Sequence, residues 1–186
     1  MTSLGALWLP ILLSAVFVFI ASSVLHMATP WHKHDYKSVP QEDAATAALR
    51  PMAIPPGDYM LPRPTSMEQM RSSEFADRMK NGPVILMTVM PNGVMAMGGT
   101  LVKWFVYLLV VSFIAGGIAS HVLPPSADFH VILHTTGMAA FLGFALALWQ
   151  AAIWYRRSLG TTVRSTIDGL LYGLITGATF AWLWPR

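Results

Sequence analysis

Six histidines are the residues of this chain best suited to chemistry, and they fall into two groups. His121, His130 and His134 accompany Asp128; His26, His32 and His34 accompany Asp35. His130 and His134 are four apart and so share one face of a helix. His121 lies just before a Pro124-Pro125 turn, so it can stand opposite His134 on an antiparallel neighbour. Imidazole nitrogens with one carboxylate suit a divalent metal, with His121, His130, His134 and Asp128 as ligands. His121 and His134 suit equally the axial ligation of a haem or a chlorophyll-type pigment. The plainer alternative is interfacial histidines bonded to water, head groups or backbone carbonyls. The run Pro30-Trp31-His32-Lys33-His34-Asp35-Tyr36 reads first as an amphipathic interfacial anchor, with metal binding as the alternative.

The other chemistry-bearing residues point to less. Met87, Met90, Met95 and Met97 are soft ligands of the type copper takes, but they read more simply as an apolar face. Asp168 follows Ser165 by three residues, a near capping box at a helix start, and Arg164, Arg157 or Lys103 would balance its charge. Its role is expected to be structural rather than proton relay. Zero cysteines exclude disulfides, thiolate metal sites, Fe–S clusters, covalent haem attachment and a thiol nucleophile. Phosphate-binding, dinucleotide-binding, metalloprotease and serine-hydrolase motifs are absent. The expectation is a chain that is not an enzyme and carries no catalytic residue.

The elements that position these residues are set by composition. Of 186 residues, 54% are hydrophobic and 11% charged, against roughly 25% charged in soluble domains. Much of the surface therefore does not face water. A spanning helix needs about 20 apolar residues, and four stretches qualify: Leu4 to about Met27, Leu101 to Leu123, Phe129 to Tyr155, and Ile167 to Trp184. The fold class expected is an all-α membrane protein of four spans. Residues 1–27 form an anchor, 28–100 a connecting region, and 101–186 a three-helix bundle. The first span has no charge before it and a long apolar run, so an uncleaved anchor is expected rather than a signal peptide.

Orientation follows from Lys and Arg near span ends. Lys33, Lys37, Lys80 and Lys103 flank the long connection, and Arg156, Arg157 and Arg164 mark the one between spans three and four. Both connections are expected in the cytoplasm, with the termini and the Pro-Pro turn outside. The two histidine groups then lie on opposite sides of a core about 30 Å thick and cannot form one site. Trp8, Trp31, Trp104, Trp154, Trp182 and Trp184 fall near span ends, as an interfacial belt would. The scattered cations give no case for nucleic acid.

In lipid, small residues four apart let helix backbones approach. The fourth span has Gly169, Gly173, Gly177 and Ala181. The third has Ala139, Gly143, Ala147 and Ala151; the second has Ser112, Gly116 and Ser120. These rows predict tight bundling of spans two to four, within the chain or with another subunit. In the connection, a short helix is expected at Gln41–Leu49 and an irregular Pro-rich stretch at Arg50–Pro64. An amphipathic helix is expected over Ser66–Lys80. A hairpin is expected from Val84–Met90 and Val94–Met97 around Pro91-Asn92-Gly93. A lone hairpin is marginal in water, so it is expected to pack on the bilayer face, on the spans or on another subunit, and the last is one reason to expect a partner.

The segments Leu25-His26-Met27, Trp31 to Tyr36, Pro56-Gly57-Asp58-Tyr59-Met60, Ile167-Asp168-Gly169-Leu170 and Trp182-Leu183-Trp184-Pro185 resemble uncharacterised bacterial inner-membrane proteins of several spans. The resemblance covers most of the chain, carries no known activity and transfers no functional residue. The function expected is a non-catalytic accessory or scaffolding subunit of a larger membrane complex, an energy-transducing one among the candidates. Lipid and other membrane subunits, or a second copy, would be its partners. The alternative is a histidine-based metal, haem or pigment protein. A small transporter or channel fits less well, because no span carries an acid or base at its centre.

Overall fold

The computed structural model describes residues 1–94 and 96–185. It is mostly helical. In chain order come α1 (Trp8–Ser23), α2 (Glu42–Leu49), β1 (Gly57–Leu61), α3 (Met67–Met70), α4 (Ser73–Asn81), β2 (Ile85–Val89), α5 (Met97–Val122), α6 (Phe129–Phe141), α7 (Leu148–Tyr155) and α8 (Leu159–Trp182). A 3₁₀ turn, Leu4–Leu7, leads into α1 and a π-helical turn, Val24–Ala28, leaves it; a second π-helical turn, Leu142–Leu146, joins α6 to α7. Two compact units result: Met1–Lys37 with Ala96–Arg186, and Ser38–Met95.

In the helical unit, three stretches are long and apolar enough to cross a membrane: Leu4–Ala28, Met97–Val122 and Phe129–Tyr155. These are the first three expected spans, within a few residues at each end. Phe17, Ile20, Val106, Val110, Phe113, Ile114, Val131, Met138 and Leu142 stand exposed on them. A water-soluble bundle would bury such side chains; here they form the outer surface, as lipid contact requires.

The fourth expected span differs. Its helix, α8, begins at Leu159, eight residues before Ile167, because Ser158 caps it and accepts from the Thr161 amide. At 24 residues it is about 36 Å long, yet it is not among the three helices apolar enough to qualify. The reason lies in its buried face, where Thr161, Thr162, Asp168, Gly169, Gly173, Thr176, Gly177 and Thr179 outnumber Tyr172, Phe180 and Ala181. The Thr176 and Thr179 hydroxyls donate to the carbonyls of Tyr172 and Ile175, 2.8 and 2.7 Å away, so their burial leaves no unpaired group. Asp168, expected at the helix start, sits in the third turn.

The glycine row of α8 lies against α6. A Cβ on Gly177 would stand 2.5 Å from the Leu133 carbonyl, and one on Gly173 2.8 Å from the Gly137 carbonyl. One on Gly169 would meet the Ala145 methyl at 2.6 Å. Ala181, the row's last member, is buried with Phe180 and Trp184. The α6 residue facing the row is Gly137, outside the sequence-derived row of Ala139, Gly143 and Ala147. Gly143 faces α5 instead, with Val111 at 3.2 Å from its would-be Cβ. Ala147 links the π-helical turn to α7. In α5, Ser112 accepts a hydrogen bond from Ser14 of α1 (3.0 Å), Gly116 admits the Phe180 ring, and Ser120 is buried.

Both ends of this unit are pinned. Thr2 donates to the Leu123 carbonyl through its hydroxyl (3.2 Å), and Trp184 Nε1 donates to the Pro124 carbonyl (3.2 Å). Residues 2 and 184 therefore share one end of the bundle with the Pro-Pro turn.

The second unit departs further from expectation. Glu42–Leu49 is helical as expected. The anticipated single helix over Ser66–Lys80 breaks at Arg71–Ser72, because Ser72 caps a new helix by accepting from the Phe75 amide at 3.1 Å. Serine favours that role over a helix interior. The expected hairpin is also corrected. Strand β2 pairs antiparallel with β1, from Gly57↔Val89 to Leu61↔Ile85, so the Pro-rich stretch contributes a strand as well as a 3₁₀ turn at Arg50–Met52. Of the expected partner strand, Val94 is fully exposed and Met97 opens α5. Met95 of the expected partner strand lies outside the described residues. Thr88 donates to Asp58 across the β1–β2 pair at 2.6 Å.

Candidate functional site

At the end of the bundle remote from the Pro-Pro turn, the chain leaving α1 folds onto α8. Trp31 Nε1 donates to Asp168 Oδ1 at 2.9 Å. His32 follows, with Nδ1 2.7 Å from Asp35 Oδ2 and Nε2 2.9 Å from Asp168 Oδ2. Arg164 Nε donates to Asp35 Oδ1 at 2.9 Å, and its terminal nitrogen bonds the same oxygen. Two carboxylates and a guanidinium thus bracket one imidazole. Burial pushes the Asp35 carboxyl up, but the hydrogen bonds and charges of His32 and Arg164 outweigh it and hold it below the ordinary 3.8.

The second approach is not a finished hydrogen bond. His32 Nε2 lies off the line of donation to Asp168 and is buried without another partner. His26 stacks on His32, ring centroids 4.1 Å apart and planes 16° from parallel. Its Nδ1 is 3.0 Å from the Ser22 carbonyl, which only a protonated nitrogen can bond, so in the neutral ring the lone pair is on Nε2. Among the described residues, His26, His32 and Asp168 form a group whose ligand atoms, one from each, lie within 4.8 Å of one another.

Each of the three is oriented by a further partner. His26 is held by Ser22, His32 by Asp35, and Asp168 by Trp31. Metal-binding histidines carry such outer hydrogen bonds, which fix the tautomer and strengthen the ligand. Ligands about 2.1 Å from an ion lie about 3.4 Å apart at tetrahedral angles and about 3.0 Å apart at octahedral ones, so the 2.9 Å between His32 Nε2 and Asp168 Oδ2 is near the octahedral spacing and would open slightly around a tetrahedral ion. The set of two imidazoles and one carboxylate suits Zn²⁺ or Fe²⁺ and leaves coordination positions open. The parallel stack is the part that must change. His26 has to tilt for both lone pairs to meet one ion; it is exposed and has room to do so.

Asp168 therefore does not cap a helix, and it pairs with His32 and Trp31 rather than with Arg164, Arg157 or Lys103. His34 is exposed and stands outside the group. At the opposite end, no three of His121, His130, His134 and Asp128 gather as His26, His32 and Asp168 do. His121 Nδ1 bonds the Gly117 carbonyl at 2.8 Å, and Asp128 caps α6 by accepting from the His130 amide at 2.8 Å. His130 and His134 are exposed.

Beside the site lies a cleft of about 690 Å³, lined by His26, Ser22, Trp104, Tyr107, Phe144, Asp168 and Tyr172 among others. Trp104 Nε1 donates to Ser22 Oγ (2.9 Å), tying α5 to α1. Tyr107 Oη donates to the Gly143 carbonyl (2.6 Å) inside the second π-helical turn. Such turns free backbone carbonyls and recur at functional sites. No family model, no curated protein and no solved structure matches this chain.

Proposed function

We propose that this chain is a multi-pass protein of the bacterial inner membrane that binds one divalent transition metal between the end of α1 and α8. The observation that carries the reading is the set His26, His32 and Asp168, three potential ligands within reach of one ion, each oriented by a separate hydrogen bond. Arg164 and Asp35 offset one another, so the site presents one net negative charge from Asp168 to a cation. The test is titration of Zn²⁺ or Co²⁺ into the purified full-length protein in detergent. One equivalent bound by the wild type and lost in His32→Ala and Asp168→Asn is expected. Equal binding by the wild type and both variants would overturn the reading.

In this proposal α8 is a fourth span. Its outward side chains Ile167, Leu170, Leu171 and Leu174 are exposed and apolar, while its polar residues face other helices. The shared end of residues 2, 124 and 184 supports an even number of crossings. By the distribution of Lys and Arg, that end is outside and the metal site is at the cytoplasmic face.

A role as a non-catalytic accessory subunit of a larger membrane complex is a second reading, favoured by one observation. Leu61, Ile85 and Leu86 of the two-stranded sheet are exposed, and a lone strand pair of this kind is marginal in water. Gentle detergent extraction should yield a stable complex with another membrane protein. Recovery of only a folded monomer would remove this second reading.

A further inference from the structure

The cleft beside the metal site has its own chemistry. Trp104, Tyr107, Phe144 and Tyr172 form a continuous aromatic wall, with successive ring centroids 5.5, 6.1 and 5.6 Å apart and Tyr172 returning to Trp104 at 6.4 Å. Three of these rings carry a polar handle. Those of Trp104 and Tyr107 are spent on Ser22 and Gly143. The Tyr172 hydroxyl is not: it is buried, in a residue 4% exposed, and has no hydrogen-bond partner. Leaving a buried hydroxyl unmet is unfavourable. Tyr172 itself lines the cleft, so a group held there stands beside the hydroxyl that lacks a partner.

We propose that the cleft binds a neutral, lipophilic ring ligand of the quinone class, with one ring oxygen accepting from Tyr172 Oη. Aromatic walls take flat rings in offset stacking, which an acyl chain would not exploit. Met27 and Leu148 extend the lining with apolar surface for an alkyl tail. A cleft of about 690 Å³ is of the size that holds such molecules, commonly about 300–1,000 Å³. In the metal-free protein the Asp168 carboxylate, 5% exposed, stands in the same lining and disfavours an anionic head group. The ring site goes beyond the metal reading: it shares His26 and Asp168 with the metal site, but none of the four wall residues is a proposed ligand, so ring binding is expected with or without the ion.

The test uses full-length protein in detergent and a decyl-substituted benzoquinone, followed by equilibrium dialysis with chelator and again with Zn²⁺. Saturable binding under both conditions is expected. Thr100→Trp, which fills the cleft, should abolish it, and Val110→Trp, at an exposed position on the outer surface, should leave it intact. Tyr172→Phe, which keeps the ring and removes the hydroxyl, should weaken it about tenfold. Non-saturable uptake alike in all four proteins would overturn the proposal. So would displacement of the quinone by an anionic phospholipid that binds more tightly. Binding with Zn²⁺ present but not with chelator would show a metal-held ligand and overturn the independent ring site while sparing the metal reading. Loss of Zn²⁺ binding alone would have the opposite meaning.

Discussion

His32 Nδ1 lies 2.7 Å from Asp35 Oδ2, and this contact decides which imidazole nitrogen faces α8. With Nδ1 engaged, Nε2 is the atom presented to Asp168. Asp35 is in turn fixed by Arg164, so the orientation of one histidine near the end of α1 depends on a cation in the second turn of α8.

Asp35→Asn should therefore weaken metal binding without removing a ligand. Loss of an outer hydrogen-bond partner typically costs about 10–100-fold in affinity. Competition against a chelator of known affinity measures it. His34→Ala, at an exposed position nearby, should leave affinity unchanged.

The same carboxylate makes stability depend on acid. Its folded-state pKa lies below the ordinary 3.8, so its contribution is present above that value and is lost as pH falls through the lower folded one. Thermal unfolding in detergent should show wild type losing its advantage over Asp35→Asn as pH drops below about 4. An advantage that persists unchanged to pH 2 would contradict the ion pair with Arg164.

Helix contacts give a paired test. Gly177→Ala would place a methyl 2.5 Å from the Leu133 carbonyl, and backbone cannot move aside. Overpacking of this kind costs about 1–3 kcal/mol. Gly117→Ala meets nothing within 4 Å and should be neutral or stabilising by up to about 1 kcal/mol, from helix propensity. Denaturation of the two variants in the same detergent compares them directly.

Membrane topology can be mapped with single cysteines, since the chain has none. Ser126→Cys and Pro185→Cys should be labelled from one side, and Arg157→Cys from the other. Labelling of positions 157 and 185 from the same side would show that α8 does not cross.

What was legible in the sequence follows the length of the signal. Lipid demands long apolar runs, so Phe129–Tyr155 could be read directly. The glycine row of α8 was legible too, because its spacing is local. Its counterpart was not: Gly137 stands alone among larger residues, and only the approach of two helices reveals it. The strand Gly57–Leu61 was hidden by the prolines that flank it, Pro55, Pro56 and Pro62, and by a partner 24 or more residues away. The site was hidden by distance as well, since His32 and Asp168 meet across 136 positions. One signal did exist. An acid inside an otherwise apolar segment is expensive, so Asp168 required a partner, and Trp31-His32-x-x-Asp35 supplied three polar groups at the end of another helix.

Main chain touching main chain at Gly137 and Gly173 leaves no lubricating layer between α6 and α8. The two must travel as one rigid plank. If the chain breathes to admit a guest, the moving part is the opposite wall, α1 with α5. Breathing would then stretch the Tyr107–Gly143 and His32–Asp168 contacts and spare the Trp104–Ser22 bond inside the moving wall, making the imidazole end the natural latch.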